Sequence, residues 1–402
     1  MAGALVVEDD PAALAASGCA ALAALRDVVL MLQRLQLGGG GGADAVYMAA
    51  ASRSTLPQRM RASAGWVGEG PPPAGTALRR ELSAVAVNGQ WQPELALGCE
   101  EWVRLRIVNA GASSYYGLGL GAGGAGGAAG AAAAGCEWLL LARDGAYRRS
   151  PLPLPALADV AGGQPRLLLP PGSRADIALR CASPGRIALT SARDRSPSWQ
   201  FLGSGTDVFE GVLLHVVATV AAAAAMAAPL RLPPPSPLLA TDLRPLAVPP
   251  ERRFRVAFTL GDPSSVARAG FRYKTYGING ALYGEGGGGG GAEGGGVAVA
   301  RRVPVGVVEE WTIVSDGSAG TGNHAFHLHL HHFQVVGVEP SPAALGMDAA
   351  VGEWRDTVAV PSPGSVTVRF NASDFAGRTL LHCHVVPHED EGMMAVVEFV
   401  HE

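Results

Sequence analysis

Hydrophobic and polar residues alternate along several stretches of this chain. In the segments 103–107 and 366–370 every second residue is apolar, and the residues between them are Arg or Thr. Because successive side chains of a β-strand point to opposite faces, this period of two predicts half-buried strands. Turn-forming residues bound these segments, so the chain is predicted to be mainly β.

One helix is predicted near the N-terminus. Asp10 can accept a hydrogen bond from the first turn, and Pro11 suits the first helical position. The Ala-rich sequence that follows predicts a helix reaching about Leu25.

Low-complexity tracts separate the patterned segments and predict loops or linkers. They are residues 38–42, 117–135, 221–228 with the prolines 233–235, and 286–296. The second tract contains Gly-x-Gly-x-x-Gly spacings, but no strand and helix frame them, so a dinucleotide site is not predicted.

The length of 402 residues suggests two or three domains. The Ala/Pro-rich stretch near residues 221–250 is the clearest break in composition and predicts a linker. Residues 26–220 and 251–402 are each about the size of one β-sandwich or barrel with insertions.

Charge and composition exclude several classes of protein. The chain has 31 basic and 35 acidic residues, and no block of like charge argues for a nucleic-acid partner. The uncharged run 211–230 is about as long as a membrane span, but it is mostly Ala and ends near Pro229, so a strand followed by a linker is favoured over membrane insertion. The N-terminus lacks the features of a signal peptide.

Five cysteines, an odd number, leave one for a role other than pairing.

The first of two histidine clusters contains His324, His327, His329 and His331. In an extended segment His327 and His329 share a face, and His331 continues the alternation. Several imidazoles on one face would be unusual in a core and suit the wall of a metal site.

The second cluster spans residues 382–393. His382 and His384 are predicted to point to one side of a strand and Cys383 to the other, so one strand can serve two metal sites back to back. Cys383, His388 and Met393, with His324, make the ligand set of a blue-copper centre. Zinc also takes Cys and His and is the competing interpretation, although structural zinc sites usually use paired cysteines and no Met.

The spacing His324-x-x-His327-x-His329, followed by His382-Cys383-His384-x-x-x-His388-x-x-x-x-Met393, resembles the two C-terminal copper signatures of the multicopper oxidases. This laccase-like family is built from plastocyanin-type, or cupredoxin-like, domains. Flanking sequence is also similar to the family, in the segments 87–93, 102–109, 354–358 and 364–370.

The resemblance implies two cupredoxin-like β-sandwich or barrel domains, the second and third of the family, with Gly/Ala-rich loop insertions. It implies that copper is the cofactor. The implied type 1 ligands are His324, Cys383, His388 and Met393; the type 2 ligand is His327; the type 3 ligands are His329, His382 and His384. The resemblance also implies that His331 is a neighbour of these ligands and not itself a ligand.

The implied reaction is oxidation of a small-molecule reducing substrate, one electron at a time, coupled to reduction of dioxygen to water. Electrons would pass from Cys383 through the adjoining backbone to His382 and His384. Glu389 and Asp390 are candidate proton donors, and an ordinary solvated acidic turn is the competing interpretation. The alternative function is a non-enzymatic copper or electron-transfer protein with a type 1 site alone.

The family builds its three-copper cluster from eight histidines, half of them in a first domain, whereas this chain has no His before His215. Residues 1–9 resemble the strand that closes that first domain, so residues 1–25 are interpreted as its remnant. Either the sequence is truncated, or the protein has lost its cluster, or a partner subunit completes it. The family's secretion and the sequon at Asn371 predict an extracellular or secretory-pathway protein.

Overall fold

The structure is a computed structural model of the chain. It describes residues 4, 6, 9–37, 82–122, 135–154, 167–193, 207–220, 230–260, 276–283, 299–315, 324–340, 351–373 and 375–401.

Two sheets form the first unit of the molecule. The seven-stranded sheet has the order β3-β2-β1-β5-β10-β7-β8 and contains β1 (Arg26–Leu37), β2 (Leu82–Val87), β3 (Gln90–Trp91), β5 (Val103–Asn109), β7 (Cys136–Arg143), β8 (Ala146–Pro153) and β10 (Arg174–Cys181). The six-stranded sheet has the order β12-β6-β11-β13-β4 and contains β4 (Glu94–Gly98), β6 (Tyr115–Ala122), β9 (Leu167–Leu169, paired with β6), β11 (Gly185–Ser191), β12 (Val208–Phe209) and β13 (Gly211–Thr219).

Two further sheets form the second unit. One has the order β15-β14-β17-β22-β19-β20 and contains β14 (Arg253–Leu260), β15 (Tyr276–Ile278), β17 (Val308–Ser315), β19 (Phe333–Glu339), β20 (Trp354–Arg355) and β22 (Gly364–Asn371). The other has the order β16-β24-β23-β18-β21 and contains β16 (Val299–Pro304), β18 (His324–Leu328), β21 (Thr357–Val360), β23 (Gly377–Cys383) and β24 (Met394–Val400).

Each unit buries one main hydrophobic core between its two sheets. In the first unit Leu105 and Ile177 of one sheet pack with Leu118 and Leu189 of the other. In the second unit residues from both sheets likewise share one core, which includes Trp311. Because inward-facing residues of both sheets meet in one core, each unit is a β-sandwich. The mainly β class with two β-sandwich units is therefore confirmed, whereas the domain boundaries at 26–220 and 251–402 stay a prediction.

The strands predicted from alternation at 103–107 and 366–370 are β5 and β22. The uncharged run 211–230 begins as strand β13, which ends at Thr219. Among the residues that the structure describes, none of the helices has the length and apolar composition needed to cross a bilayer.

The second low-complexity tract is partly a strand, which differs from the prediction of a loop. Residues 117–122 belong to β6, which pairs with β11 and β9. Backbone pairing with two neighbours fixes this segment although half of its residues are Gly. Residues 123–134 and the whole of the tracts at 38–42, 221–228 and 286–296 lie outside the described residues.

The predicted N-terminal helix is shorter than expected. Helix α1 (Pro11–Ala16) is capped by Asp10, whose side chain accepts from the Ala12 N–H at 2.9 Å. Gly18, with φ +76°, ends it, and a second turn, α2 (Ala20–Ala23), follows. A residue in the left-handed region cannot continue a right-handed helix, which explains the break.

Residues 9–25 cover the outer face of the seven-stranded sheet. Leu14 and Leu22 pack against Leu141 there. Arg104, on the polar side of β5, is consequently buried, and its Nε donates to Asp176 at 3.0 Å. Of residues 1–25, interpreted as a family remnant, residues 1–3, 5, 7 and 8 lie outside the described residues.

A disulfide joins Cys136 and Cys181 on the adjacent strands β7 and β10. Cys19, Cys99 and Cys383 are free thiols, and Cys383 is fully buried.

A buried ion pair connects the two units. Asp144, at the tip of the β7–β8 hairpin, accepts from Arg355 Nε of β20 at 3.1 Å, and both side chains are fully buried. The Asp144 carboxylate also accepts from the backbone N–H of Arg174 and of Thr357. Glu353 also pairs with Arg355, whose Nη1 donates to a Glu353 carboxylate oxygen at 3.3 Å.

We expect the substitution Asp144→Asn to lower the free energy of unfolding by about 3–5 kcal/mol, because it leaves the Arg355 charge buried with too little compensation. Glu94→Gln is the control, since its pair with Arg186 is exposed on both sides and should have little effect. Urea unfolding followed by tryptophan fluorescence measures both. Equal stability of the two variants would contradict the importance of the buried pair.

Candidate metal centre

Strand β23 places two sets of ligand-type side chains on opposite faces of its sheet. Cys383, with no exposed surface, points into the core of the second unit. The rings of His382 and His384 lie together on the other face, with centroids 5.3 Å apart. Antiparallel pairing with β18 sets His327 opposite His382. The alternation predicted for residues 382–384 is thus what the structure has.

The first cluster is a triangle of Cys383, His324 and His388. Cys383 Sγ lies 3.6 Å from His324 Nδ1 and 3.6 Å from His388 Nδ1, and the two nitrogens are 3.2 Å apart. These three ligand atoms converge on one point, as a single metal ion requires.

The short helix α3 (Val386–Asp390) brings His388 back to the end of β23. The Cys383 N–H donates to the Met393 carbonyl at 3.1 Å, and the Met393 N–H donates to the His388 carbonyl at 2.9 Å. These bonds close a tight loop of chain around the first cluster. Met393 is fully buried in the same core, next to the cysteine.

Burial favours the uncharged forms of Cys383 and His388. Burial raises the pKa of the Cys383 thiol to about 12 and lowers the pKa of His388 to about 4. Aromatic rings enclose the site: Phe258 lies 4.7 Å from His324 and Tyr276 lies 4.1 Å from His388, between ring centroids. A bound cation would take the place of the thiol proton, because metals bind the thiolate.

The second cluster contains His327, His329 and His382, whose ligand atoms lie within 4.8 Å of one another. His329 Nε2 and His382 Nε2 face each other at 3.1 Å. His327 Nδ1 lies 2.9 Å from the Asp356 carbonyl oxygen, and His382 Nδ1 lies 3.3 Å from Glu389 Oε2. With the proton on Nδ1, both rings donate outward and turn Nε2 inward, which is the arrangement of metal-binding histidines.

His384 joins this cluster, with its ring centroid 5.4 Å from that of His327. Burial and the neighbouring imidazoles lower the pKa of His384 to about 4, and burial, with His327 and His382 nearby, lowers the pKa of His329. These neutral imidazoles can each offer a lone pair. His329 and His384 can therefore bind metal ions without first losing protons.

The carboxylates around the second cluster are ionised. The pKa of Glu389 is lowered by its hydrogen bond with His382. Burial alone would raise the pKa of Asp356, but hydrogen bonds from His327 and Arg174 outweigh it and lower the pKa. An ionised Glu389 can accept a hydrogen bond from His382 at neutral pH, and its role as a proton donor stays a prediction. Asp390 is exposed on the helix.

His331 departs from the predicted alternation. It is buried against Phe399 and Phe370, with ring centroids 4.6 and 5.8 Å away, on the core side of the sheet. Strand β18 ends at Leu328, and Leu330 has φ +71°, so the period of two stops before His331. Tyr276 and Asp356 touch ligand-type histidines, although no role was predicted for them from the sequence. Asp356 lies within the segment 354–358, which resembles the family, and this was the one signal that could have found it.

Comparisons with known proteins agree with this chemistry. Residues 287–401 match the family model described as multicopper oxidase. A bilirubin oxidase of Albifimbria verrucaria is 33% identical over 93 residues, covering 23% of this chain and 16% of that protein. A laccase of Bacillus subtilis is 29% identical over 105 residues, covering 22% of this chain and 20% of the laccase.

The similarity in fold extends over more of the chain. The crystal structure of the McoA multicopper oxidase from Aquifex aeolicus covers 94% of this chain with a TM-score of 0.60 at 18% identity, and the chain spans 66% of its length. The chain thus corresponds to less than two thirds of that protein and to a fifth or less of the two curated relatives. This likeness confirms the cupredoxin-like fold. With the two ligand clusters, the match of residues 287–401 shows that this part of the chain is similar to the multicopper oxidases, a family that binds copper.

Proposed function

We propose that the chain is the copper-bearing part of a laccase-like oxidase, which oxidises a small-molecule reducing substrate one electron at a time and reduces dioxygen to water. The observation that carries this proposal is strand β23, which points Cys383 into one ligand cluster and His382 and His384 into the other. A protein with a type 1 site alone would have no use for the second cluster.

The donor sets fit copper. His324, Cys383 and His388, with Met393 in the same core, would hold a type 1 ion. His327, with His329, His382 and His384, would hold type 2 and type 3 ions. Copper supplies one-electron redox chemistry at the first set and the binding and reduction of dioxygen at the second.

The protein's own residues would bind the metal ions and orient the ligand side chains. The backbone between Cys383 and its two neighbours is the shortest covalent connection between the clusters. The Cys383 carbonyl, 3.1 Å from His382 Nδ1, and the Glu389 carboxylate, 3.3 Å from it, both face the outer proton of His382, and the Asp356 carbonyl accepts from His327 Nδ1. The aromatic rings of Phe258 and Tyr276 pack against His324 and His388 of the first cluster.

The second cluster has four histidines, half of the family's eight. We propose that a further domain or a partner subunit with two His-x-His motifs supplies the rest. The oxidase needs these additional histidines, whereas the alternative, an electron-transfer protein with type 1 copper only, does not. Metal analysis distinguishes the two, because a completed enzyme binds four coppers and a type 1 protein binds one.

The copper-loaded chain should be blue, and Cys383→Ser should abolish the colour, because the charge-transfer band needs the copper–thiolate bond. Cys99→Ser, which removes a partly exposed free thiol of the first unit, is the control and should stay blue. Visible absorption after copper loading is the measurement. A blue Cys383→Ser protein would show that the thiolate assignment is wrong.

The chain by itself should consume oxygen negligibly, since four imidazoles cannot complete both type 3 positions. Adding the proposed upstream domain should restore uptake and raise the copper content by about three ions per chain. An oxygen electrode with copper analysis measures both. Strong uptake by the chain alone that disappears in His384→Ala would contradict the need for further ligands.

We further propose an extracellular or secretory-pathway location. Asn371, the acceptor of the sequon, is exposed at the end of β22. Expressed in its own cells with its full upstream sequence, the protein should carry an Asn371 glycan, seen as a mass decrease on enzymatic deglycosylation and lost in Asn371→Gln. An unmodified protein confined to the cytosol would contradict this location.

A further inference from the structure

A tight turn of the first unit lies against the second cluster. It joins β9 to β10 across residues 170–173, and the side-chain amide of Asn109 donates to the Leu169 carbonyl at 2.9 Å beside it. The Gly172 N–H donates to the Asn109 carbonyl at 3.0 Å, and the Asn109 N–H donates to the Ser173 carbonyl at 3.0 Å. The buried Asn109 thus fixes this turn from both sides.

Gly172 touches the imidazole of His384. It has φ +79°, and a Cβ on this residue would lie 2.1 Å from His384 Cδ2 and 2.2 Å from Nε2. Atoms cannot approach so closely, so any side chain here would displace the ring or the turn. The His384 ring therefore packs directly against the backbone of Gly172.

The next residue but one, Arg174, reaches a second histidine through Asp356. Its guanidinium makes two hydrogen bonds to the Asp356 carboxylate, at 2.7 and 2.6 Å. The same guanidinium donates to the Gly172 carbonyl at 3.2 Å, which links the two contacts. Asp356 in turn accepts, through its backbone carbonyl, from His327 Nδ1.

We propose that this turn is a positioning device for the metal cluster: Gly172 sets the place of the His384 ring, and Arg174, through Asp356, sets that of His327. The inference deepens the proposed function, because it rests on these two histidines being ligands. The first unit contributes none of the predicted ligands, yet by this arrangement it determines where two of them stand. Supporting groups of this kind tune metal affinity by holding ligands before the metal arrives.

The contact can be tested without metal by a double-mutant cycle. Gly172→Ala is made in the original chain and in a His384→Ala chain, and unfolding midpoints in urea are compared. We expect Gly172→Ala to lower the midpoint strongly in the first background and much less in the second, where the ring is gone. Gly89→Ala is the control, because Gly89 has φ +78° and nothing lies within 4 Å of its Cβ position. It should lower the midpoint equally in both backgrounds.

The same loss in both backgrounds for Gly172→Ala would overturn the proposal. If Gly172→Ala prevents folding, recovery of folding in the double variant supports the contact, and failure of the double variant to fold contradicts it.

Metal binding supplies the second readout. In a Cys383→Ser background, which removes the thiolate of the first cluster, calorimetric titration with Zn²⁺ reports on the histidine cluster. We expect Gly172→Ala and Arg174→Ala to weaken zinc binding about 10-fold or more. Gly89→Ala and Arg180→Ala are the controls and should leave it unchanged, since Arg180 is on the same strand but pairs with Glu100 and Glu137.

The two failures are distinguishable. If the parent background binds no zinc, the proposed metal function fails, while the double-mutant cycle still decides whether Gly172 positions His384. If the parent binds zinc and the Gly172 and Arg174 variants bind it equally well, the positioning role is wrong.

Discussion

The backbone pleat of β23 places Cys383 on one face of its sheet and His382 and His384 on the other. Every other feature of the metal centre is arranged around this residue triplet. Pairing with β18 brings His327 to one face, and the turn of α3 returns His388 to the other. Because the side-chain period of a strand is two, a shift of one residue in the register of β23 would exchange the two sets of ligands and abolish both clusters.

Burial has different consequences at the two clusters. At Cys383 it stabilises the neutral thiol, so the first site acquires its anionic ligand only together with a cation. At the histidine cluster burial favours the neutral ring, which is already the form that binds metal. The ionised carboxylates of Glu389 and Asp356 lie outside the ring of histidines, and the backbone carbonyl of Asp356 accepts from His327 Nδ1. The negative charges of the centre thus lie outside the layer of neutral histidine ligands.

The sequence predicted the ligand clusters because their spacing follows local geometry: two-residue alternation along a strand and one helical turn to His388. It failed where the local period ended. His331 follows a residue with φ +71° and turns into the core, and Gly18 cuts the predicted helix in two. Contacts between residues far apart in sequence left no local pattern. Neither the approach of Gly172 to His384 nor the burial of Arg104 under residues 9–25 could be predicted from neighbours along the chain.

The hairpin tip at Asp144 constrains how this protein can vary. Its carboxylate holds Arg355, its carbonyl accepts from Arg174 at 2.9 Å, and the same carbonyl lies 2.8 Å from His332 Nε2. An insertion of even one residue at this tip would displace Asp144 and so disturb its contacts with Arg355, Arg174 and His332 together. The glycine-rich tracts of the sequence fall elsewhere, and neither this hairpin nor the turn at 170–173 contains one. We therefore expect these two short connections to tolerate changes in length less well than the glycine-rich tracts do.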